Sequence, residues 1–337
     1  MNIVVLAGGY SDERDVSLSS GSMIANALIK KNHRVLLVDP YVGLKNIANF
    51  EEGFKRYEQK AYSYQVPIQA PDLEKIKAEQ NNQEELIGPN VLALCQTADV
   101  VFPALHGGMG ENGQLQALLD IFNISYTGTG FLGSALAMDK KLSKELFLQH
   151  QIPTPASFST DGKEQISFPC VIKPNNSGSS IGVKIVQTEQ EFFSALAEAK
   201  NYDSEPLIEE TITGREFSVG ILDGEVLPII EIQPKTGFYD YANKYQEGAV
   251  EESCPADLSK EKTLEMQRLA LKVHQVLRLG TYARIDFMMD QAGAIFCIEA
   301  NTLPGMTPTS LLPQEALAAG ISYEDLCEKI VHLALKK

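Results

Sequence analysis

Two short runs, 282–289 and 294–300, constrain the fold of this 337-residue chain more than any other part of it. Both alternate apolar with polar residues, and they flank the turn-forming segment Asp290-Gln291-Ala292-Gly293, so they read as a β-hairpin. Asp286 and Glu299 then fall on facing strands. A period of two sends Glu299 and Asn301 to the same side, where two carboxylates and one amide converge. Hard oxygen ligands in that number suit Mg²⁺ held against nucleotide phosphates, because magnesium keeps coordination sites for substrate oxygens and needs no closed cage. Taken singly, Asp286 reads equally as part of a solvated acidic face. Glu299-Ala300-Asn301 reads less so, because Ile298 and Ala300 interleave with it and Pro304-Gly305 ends the strand in a bent loop.

A chain of this length buries a large core and divides into two or three domains. Its 44% hydrophobic and 22% charged content is that of a soluble globular protein. The formal net charge of −15 argues against nucleic acid or an anionic membrane as a partner, so an anionic substrate needs a local basic cluster. The five cysteines are scattered and show no CxxC spacing, which points to reduced, mostly buried thiols and away from a disulfide framework or a zinc site. Residues 2–7 are apolar but too few for a signal-peptide core, and no stretch approaches a membrane span. The expected location is the cytoplasm.

Along the chain, a strand over 2–7, the Gly8-Gly9 turn, a helix over 16–31 and a strand over 34–38 open an α/β layer with a parallel sheet. The segment from about 43 to 94 has few large apolar residues and reads as a surface insertion. A strand over 100–105 and a helix over 113–122 follow. A second unit starts near Tyr126, with a helix over 134–150, a strand ending at Lys173, a Ser/Gly loop over 175–182, a strand over 183–186, a helix over 189–200 and a strand over 206–210. The third has strands 215–222 and 225–232 joined by the hairpin turn Asp223-Gly224, a Tyr-rich loop over 235–250, a helix over 259–278, the acidic hairpin and a final helix capped by Ser322.

Lys173, at a strand end before Asn175-Asn176-Ser177-Gly178-Ser179-Ser180, offers an ammonium and backbone N–H groups to an anion. The loop lacks P-loop order, and on its own it reads equally as a flexible turn. Lys140 after Met138-Asp139 is equally open to a helix-surface reading. Gly8-Gly9 and the glycines after His106 follow strands, but neither gives GxGxxG with a downstream acidic residue closing the next strand, which argues against a dinucleotide-dependent oxidoreductase. Glu13 and Ser17 lie where the first loop meets its helix, a place that welcomes an anion or simply rewards a carboxylate. His106 is either a ligand contact or a satisfied loop histidine. No HxxxH motif occurs, and the GxSxG spelled by Gly178 to Gly182 joins two strands, not a strand to a helix, so it makes no nucleophile elbow.

Taken in order, Gly8-Gly9-x-Ser11-x-Glu13-Arg14-x-Val16-Ser17, Ala104-Leu105-His106-Gly107, Tyr126-Thr127-Gly128, Met138-Asp139-Lys140, Lys173-Pro174 with Gly178-Ser179-Ser180-x-Gly182, Arg215-Glu216-Phe217, Tyr239-Asp240-Tyr241-x-x-Lys244-Tyr245, Arg284-Ile285-Asp286 and Glu299-Ala300-Asn301-x-x-Pro304-Gly305-Met306-Thr307 resemble the ATP-grasp superfamily. Within it they resemble the D-alanine–D-alanine ligases. The resemblance spans nearly the whole chain except about 45–95.

It implies an α/β, three-domain ATP-grasp architecture: an N-terminal parallel-sheet α/β domain (1–125) and two α+β domains (126–213 and 214–337) that sandwich ATP. It implies ligation of two D-alanine molecules through an acyl phosphate, releasing ADP and phosphate, for peptidoglycan precursor synthesis. Lys140 and Lys173 would contact the phosphates, and Glu209, Ile212 and Glu216 would line the adenine and ribose pocket. Asp286, Glu299 and Asn301 match ligands for two Mg²⁺ ions, for which Mn²⁺ can substitute. Glu13 and Ser179 match residues that anchor the first D-alanine, and His106 lies near its carboxylate. Arg284 and the Gly305 N–H match stabilisers of the oxyanion, and Ser310 and Leu311 match contacts to the second D-alanine. Lys244 would contact substrate, and Tyr245 would join Ser179 and Glu13 in a hydrogen-bonded set. Closure of the 175–182 and 235–250 loops would exclude water from the acyl phosphate. Family members that accept D-lactate lack this tyrosine, so its presence favours an amine nucleophile over a D-alanyl-D-lactate or D-alanyl-D-serine ligase. A non-catalytic nucleotide-binding module would have no need of the metal ligands. Glu210 stands where some relatives carry a lysine beside the adenine. A homodimer is expected from the resemblance alone.

Overall fold

The computed structural model describes residues 1–67, 69–158, 166–178, 182–234 and 250–336. Three sheets organise them. The first has β1 (Asn2–Leu6), β2 (Arg34–Val38) and β3 (Val100–Pro103) in the parallel order β2-β1-β3. Its strands are near-continuous Val/Ile/Leu runs, as strands covered on both faces must be. Helix Arg14–Lys30 crosses from β1 to β2. The chain at 125–127 extends this sheet beyond β3, with Val101 N–H donating to Ser125 O at 2.9 Å and Thr127 N–H to Val101 O at 3.0 Å.

The second sheet is antiparallel, with β4 (Ser157–Phe158), β5 (Cys170–Lys173), β6 (Lys184–Val186) and β7 (Leu207–Glu210) in the order β4-β7-β5-β6. Helix Glu189–Ala199 closes it through Phe192, Ala195 and Ala199.

The third sheet is the largest. It contains β8 (Gly214–Leu222), β9 (Glu225–Val226), β10 (Ile230–Pro234), β11 (Val250–Ser253), β12 (Tyr282–Asp290) and β13 (Ile295–Asn301), with the path β11-β10-β8-β12-β13 and β9 beside β8. Asp223 and Gly224 both have positive φ, so the β8–β9 turn is of the kind that right-twisted strands favour. The 225–232 run breaks after Val226 around Pro228, which has no N–H for the ladder. One face of β8 and β12 is fully apolar: Phe217, Val219, Ile221, Ala283, Ile285 and Phe287 are all 0% exposed and pack on helix Lys260–Val276. The other face is left for chemistry.

Two stretches fold differently from their sequence reading. Helix 134–150 is two helices, Phe131–Met138 and Lys140–Gln149, because Asp139 leaves helical geometry at ψ 97° and its carboxylate caps the second helix by accepting from Leu142 N–H at 3.0 Å. The break sets Lys140 at the start of the new helix. The 43–94 segment is not only a surface insertion: Ile47, Phe50, Tyr62, Val91 and Leu94 enter the first core. Asn26 and Tyr62 exchange side-chain and backbone hydrogen bonds at 2.8 Å, pinning the segment to the first helix. Helix Leu73–Glu79 buries nothing, so the insertion reading holds there.

The last helix, Tyr323–Ala334, returns to the first sheet's core through Leu326, Cys327, Ile330 and Val331. Ion pairs of Lys30 to Glu324 at 2.8 Å and Lys31 to Asp325 at 2.5 Å flank that contact. Its Ser322 cap receives Asp325 N–H at 3.2 Å.

Candidate active site

The polar face of the third sheet turns toward the second sheet across a cleft, and β12 and β13 supply its floor. Arg284 pairs with Asn301 and Asp286 with Glu299 across the strands, so all four side chains share one face. A bulge follows Asp286, inserting one extra residue on β13. The alternation is therefore broken at one place, and the consecutive residues Ile298 and Glu299 both line the cleft.

Asp286 is the hub of this face. Ser218, its neighbour on β8, donates Oγ–H to Asp286 Oδ1 at 2.8 Å, and Asn301 Nδ2 donates to Oδ2 at 2.9 Å. Arg284 holds both oxygens, with Nε to Oδ1 at 2.9 Å and Nη2 to Oδ2 at 2.8 Å. Two carboxylates and an amide of hard-oxygen chemistry thus sit together without thiol or imidazole, which fits Mg²⁺. Among the described residues no three His, Cys, Asp or Glu side chains form a cage, so such an ion needs substrate oxygens to complete its shell.

Opposite lie the basic groups. Lys140 Nζ donates to Ser177 O at 2.6 Å and is 3.4 Å from Glu299 Oε2, bridging the loop after β5 to the acidic floor. Asn175 ties that loop to the helix that carries Lys140: its Oδ1 accepts from Lys141 N–H and its Nδ2 donates to Asp139, both at 2.8 Å. Lys173 Nζ meets Glu209 Oε1 at 2.5 Å. Lys173, Glu209, Ile212 and Glu216 all line the cleft, along with Glu210, Val171 and Met288. Glu209 is buried, which raises a carboxyl, yet Lys173 and Lys144 together hold it below the ordinary range.

The first unit contributes from the side. Glu13 is buried at the start of its helix, and its carboxylate lies against Gly107 and Gly178, where added Cβ atoms would come within 3.1 and 3.3 Å of Oε2. Gly107 also has φ +69°, so two independent reasons disfavour a side chain there. His106 is buried; burial lowers its pKa, Glu13 opposes that, and Arg284 adds to it, which puts all three within electrostatic reach. Ser17 is structural: it accepts from Gly8 N–H at 2.8 Å and donates to Ala104 O at 2.6 Å, fixing the glycine turn against β3. Ser310 stands at the N-cap position of helix Leu311–Ala318, but its Oγ accepts from Thr307 N–H at 3.1 Å beside Gly305 and caps no helix N–H, while Leu311 lines the cleft. Ser179, Lys244 and Tyr245 lie outside the described residues, as do 179–181 and 235–249 of the two covering loops.

Three site residues carry no sequence signal of their own. Glu111 accepts Gly107 N–H at 2.6 Å, and burial, then Glu13, pushes its carboxyl up to about 8. Lys144 looks in sequence like any helix lysine, but is 3% exposed and bonded to Glu209. Glu315 is 0% exposed, and its carboxyl meets no side-chain donor among the described residues, with only the Gly220 N–H near it. It fits only because Gly220 has no side chain; a Cβ there would lie 2.3 Å from Glu315 Oε2.

Burial pushes the Glu315 carboxyl well above its ordinary value of 4.5, with Arg284 opposing and Asp286 reinforcing. As pH rises past the ordinary value, the unfolded chain loses this proton and the folded chain keeps it, so stability falls with rising pH. Glu315→Gln removes that dependence. Its denaturation midpoint is expected to gain on the parent between pH 5 and pH 8; a gap that stays constant over that range contradicts the assignment.

Comparison with known proteins accords with this geometry. The family profile described as D-ala D-ala ligase N-terminus matches residues 2–129, and that described as D-ala D-ala ligase C-terminus matches residues 143–332. The chain belongs to the D-alanine–D-alanine ligase family. It is 45% identical to the D-alanine–D-alanine ligase of Pediococcus pentosaceus, covering 98% of this chain and 97% of that one. It is 41% identical to the ligase of Lacticaseibacillus casei, covering 100% and 96%. Among solved structures, the Bacillus anthracis ligase complexed with ATP superposes with a TM-score of 0.73 at 29% identity, over 100% of this chain and 98% of that one. The family's parallel N-terminal sheet and antiparallel sheets flanking the cleft are those described above. Among the described residues no helix is long and apolar enough to cross a membrane.

Proposed function

We propose that this enzyme joins two D-alanine molecules into D-alanyl-D-alanine, a peptidoglycan precursor, at the expense of ATP. The observation that carries the reading is the convergence of Lys140 and Lys173 on one cleft with Asp286 and Glu299, with Asn301 bonded to Asp286 beside them. Cations for phosphate oxygens and hard-oxygen ligands for Mg²⁺ are both needed there, and neither is needed alone. The Tyr245 position favours the dipeptide over an ester product, and the intact metal-ligand set favours an enzyme over a silent nucleotide-binding module.

In this reading a carboxylate oxygen of the first D-alanine attacks the γ-phosphorus of ATP, and ADP leaves. The acyl phosphate so formed is attacked at its carbonyl carbon by the amine of the second D-alanine, and inorganic phosphate departs with the bridging oxygen. Phosphoryl transfer is mostly positioning and charge neutralisation. Lys140 and Lys173 would hold the phosphates, with Glu209, Ile212 and Glu216 about the adenine and ribose. Asp286, Glu299 and Asn301 would hold two Mg²⁺ ions, or Mn²⁺ in their place, whose charge neutralises phosphate oxygens. Arg284 and the Gly305 N–H would stabilise the oxyanion at the acyl carbon. Glu13 and His106 would bind the first D-alanine, and Ser310 and Leu311 the carboxylate of the second. Ser179, Lys244 and Tyr245 keep the roles the resemblance implies. The domain bounds 1–125, 126–213 and 214–337, a homodimeric state and a cytoplasmic location belong to the same proposal.

The test is phosphate release from ATP with Mg²⁺ and each enantiomer of alanine. D-alanine is expected to drive it and L-alanine to fail. Equal turnover with both, or hydrolysis indifferent to any amino acid, would overturn the reading.

A further inference from the structure

On the second-sheet side of the cleft lies an ion cluster that, among the described residues, has one more cation than its anion requires. Glu209 receives Lys173 at 2.5 Å on one oxygen and Lys144 at 2.8 Å on the other. Lys144 also donates to Thr154 Oγ1 at 3.0 Å. The three charged residues are nearly sealed: Lys144 is 3% exposed, Lys173 5% and Glu209 3%. Lys173 and Glu209 border the cleft; Lys144 does not, and reaches it only through the carboxylate.

As a structural device alone this arrangement is poor. A second buried ammonium costs desolvation that a single carboxylate cannot return to two cations, and an apolar side chain at 144 would pack with less penalty. The strain registers on Lys144 itself, whose pKa is lowered first by burial and, despite the pull of Glu209, further by Lys173. The surplus charge makes sense only if an anion completes the cluster. With Glu209 alone, the Lys173–Glu209 pair presents to the cleft a neutral dipole, whose field falls off quickly. With Lys144 on the second oxygen, the cluster presents a net positive charge, and Lys173 keeps its attraction for an approaching polyanion.

We infer that Lys144 is a positioning residue for the phosphate chain of the nucleotide: it satisfies Glu209 from behind so that Lys173 is not spent on that carboxylate. The inference rests on the ATP reading above, and it separates phosphate recognition from base recognition within that one cleft.

The experiment measures binding of ATP and of adenosine to the full chain with Mg²⁺, for the parent, Lys144→Met, Glu209→Gln and the double variant, with folding followed by circular dichroism. Adenosine lacks the phosphates and serves as the control for the base pocket. Lys144→Met is expected to lower the ratio of ATP to adenosine affinity by about tenfold or more, because the whole charge of Glu209 then falls on Lys173 and screens it from the phosphates. The double variant is expected to recover that ratio to within about threefold of the parent, since without the carboxylate nothing screens Lys173. A merely structural lysine would weaken both ligands alike, and the second substitution would restore nothing; either result overturns the inference. If Lys144→Met does not fold, Glu209→Gln with and without it decides: near-equal ratios support the proposal, and a further drop of about tenfold refutes it. Failure of the parent to bind ATP at all would instead strike the ligase reading.

Discussion

Arg284→Met is expected to lower kcat for dipeptide synthesis by about 10²–10³-fold, the usual cost of removing one preorganised donor from a developing oxyanion. The argument is geometric. Arg284 is fixed by two parallel hydrogen bonds to Asp286, its neighbour on the same strand face, so its guanidinium has a set place before substrate arrives. A donor that needs no reorganisation at the moment of reaction is worth far more than one recruited from solvent. Asp286 keeps Ser218 and Asn301 as donors in the variant, so the local fold should persist. Steady-state kinetics with a separate ATP-binding measurement checks this. Loss of kcat with ATP affinity changed only slightly is the expected pattern, and an unchanged kcat would remove Arg284 from the chemistry.

Phe287→Ala is the largest expected stability change, about 3–5 kcal/mol for a fully buried aromatic. Phe287 is 0% exposed on the back of β12, directly opposite Phe217 on β8 and Cys297 on β13. It is also the first residue after the bulge, adjoining Asp286 in sequence. The cavity would thus open behind the polar face that carries Asp286 and Glu299, and activity should fall together with stability. Urea unfolding of parent and variant measures it; a cost below about 1 kcal/mol would show that the sheet can collapse around the gap.

What could be read from the sequence follows a physical division. The hairpin at 282–301 was legible because a strand's period of two is local, and Asp290 to Gly293 marks its turn. Asp286, Glu299 and Asn301 came with it as residues of facing strands, but the bulge after Asp286, which a period of two does not reveal, is what brings Glu299 opposite Asp286. The parallel strands of the first unit were legible as apolar runs for the same reason. Other features depend on what arrives from far away in the chain. Lys144 sits in Lys-Lys-Leu-Ser-Lys-Glu, where nothing local distinguishes it from Lys141; only the approach of β7 gives it Glu209 as a partner. Glu315 follows Leu-Leu-Pro-Gln and would be taken for a solvated helix residue, yet the absence of a side chain at Gly220, about a hundred residues earlier, lets it bury. The 43–94 segment hid its core residues by spacing them irregularly, and the break at Asp139 is a capping choice that helix periodicity does not reveal.

The central claim concerns the fate of one oxygen atom. D-alanine labelled with ¹⁸O in its carboxylate can be supplied with unlabelled ATP and Mg²⁺ in unlabelled water, and the products read by mass spectrometry. Attack by the carboxylate on the γ-phosphorus requires that each phosphate released with a molecule of D-alanyl-D-alanine carry one labelled oxygen, with ADP as the other product. Unlabelled phosphate, or AMP in place of ADP, would contradict an acyl phosphate formed at this site.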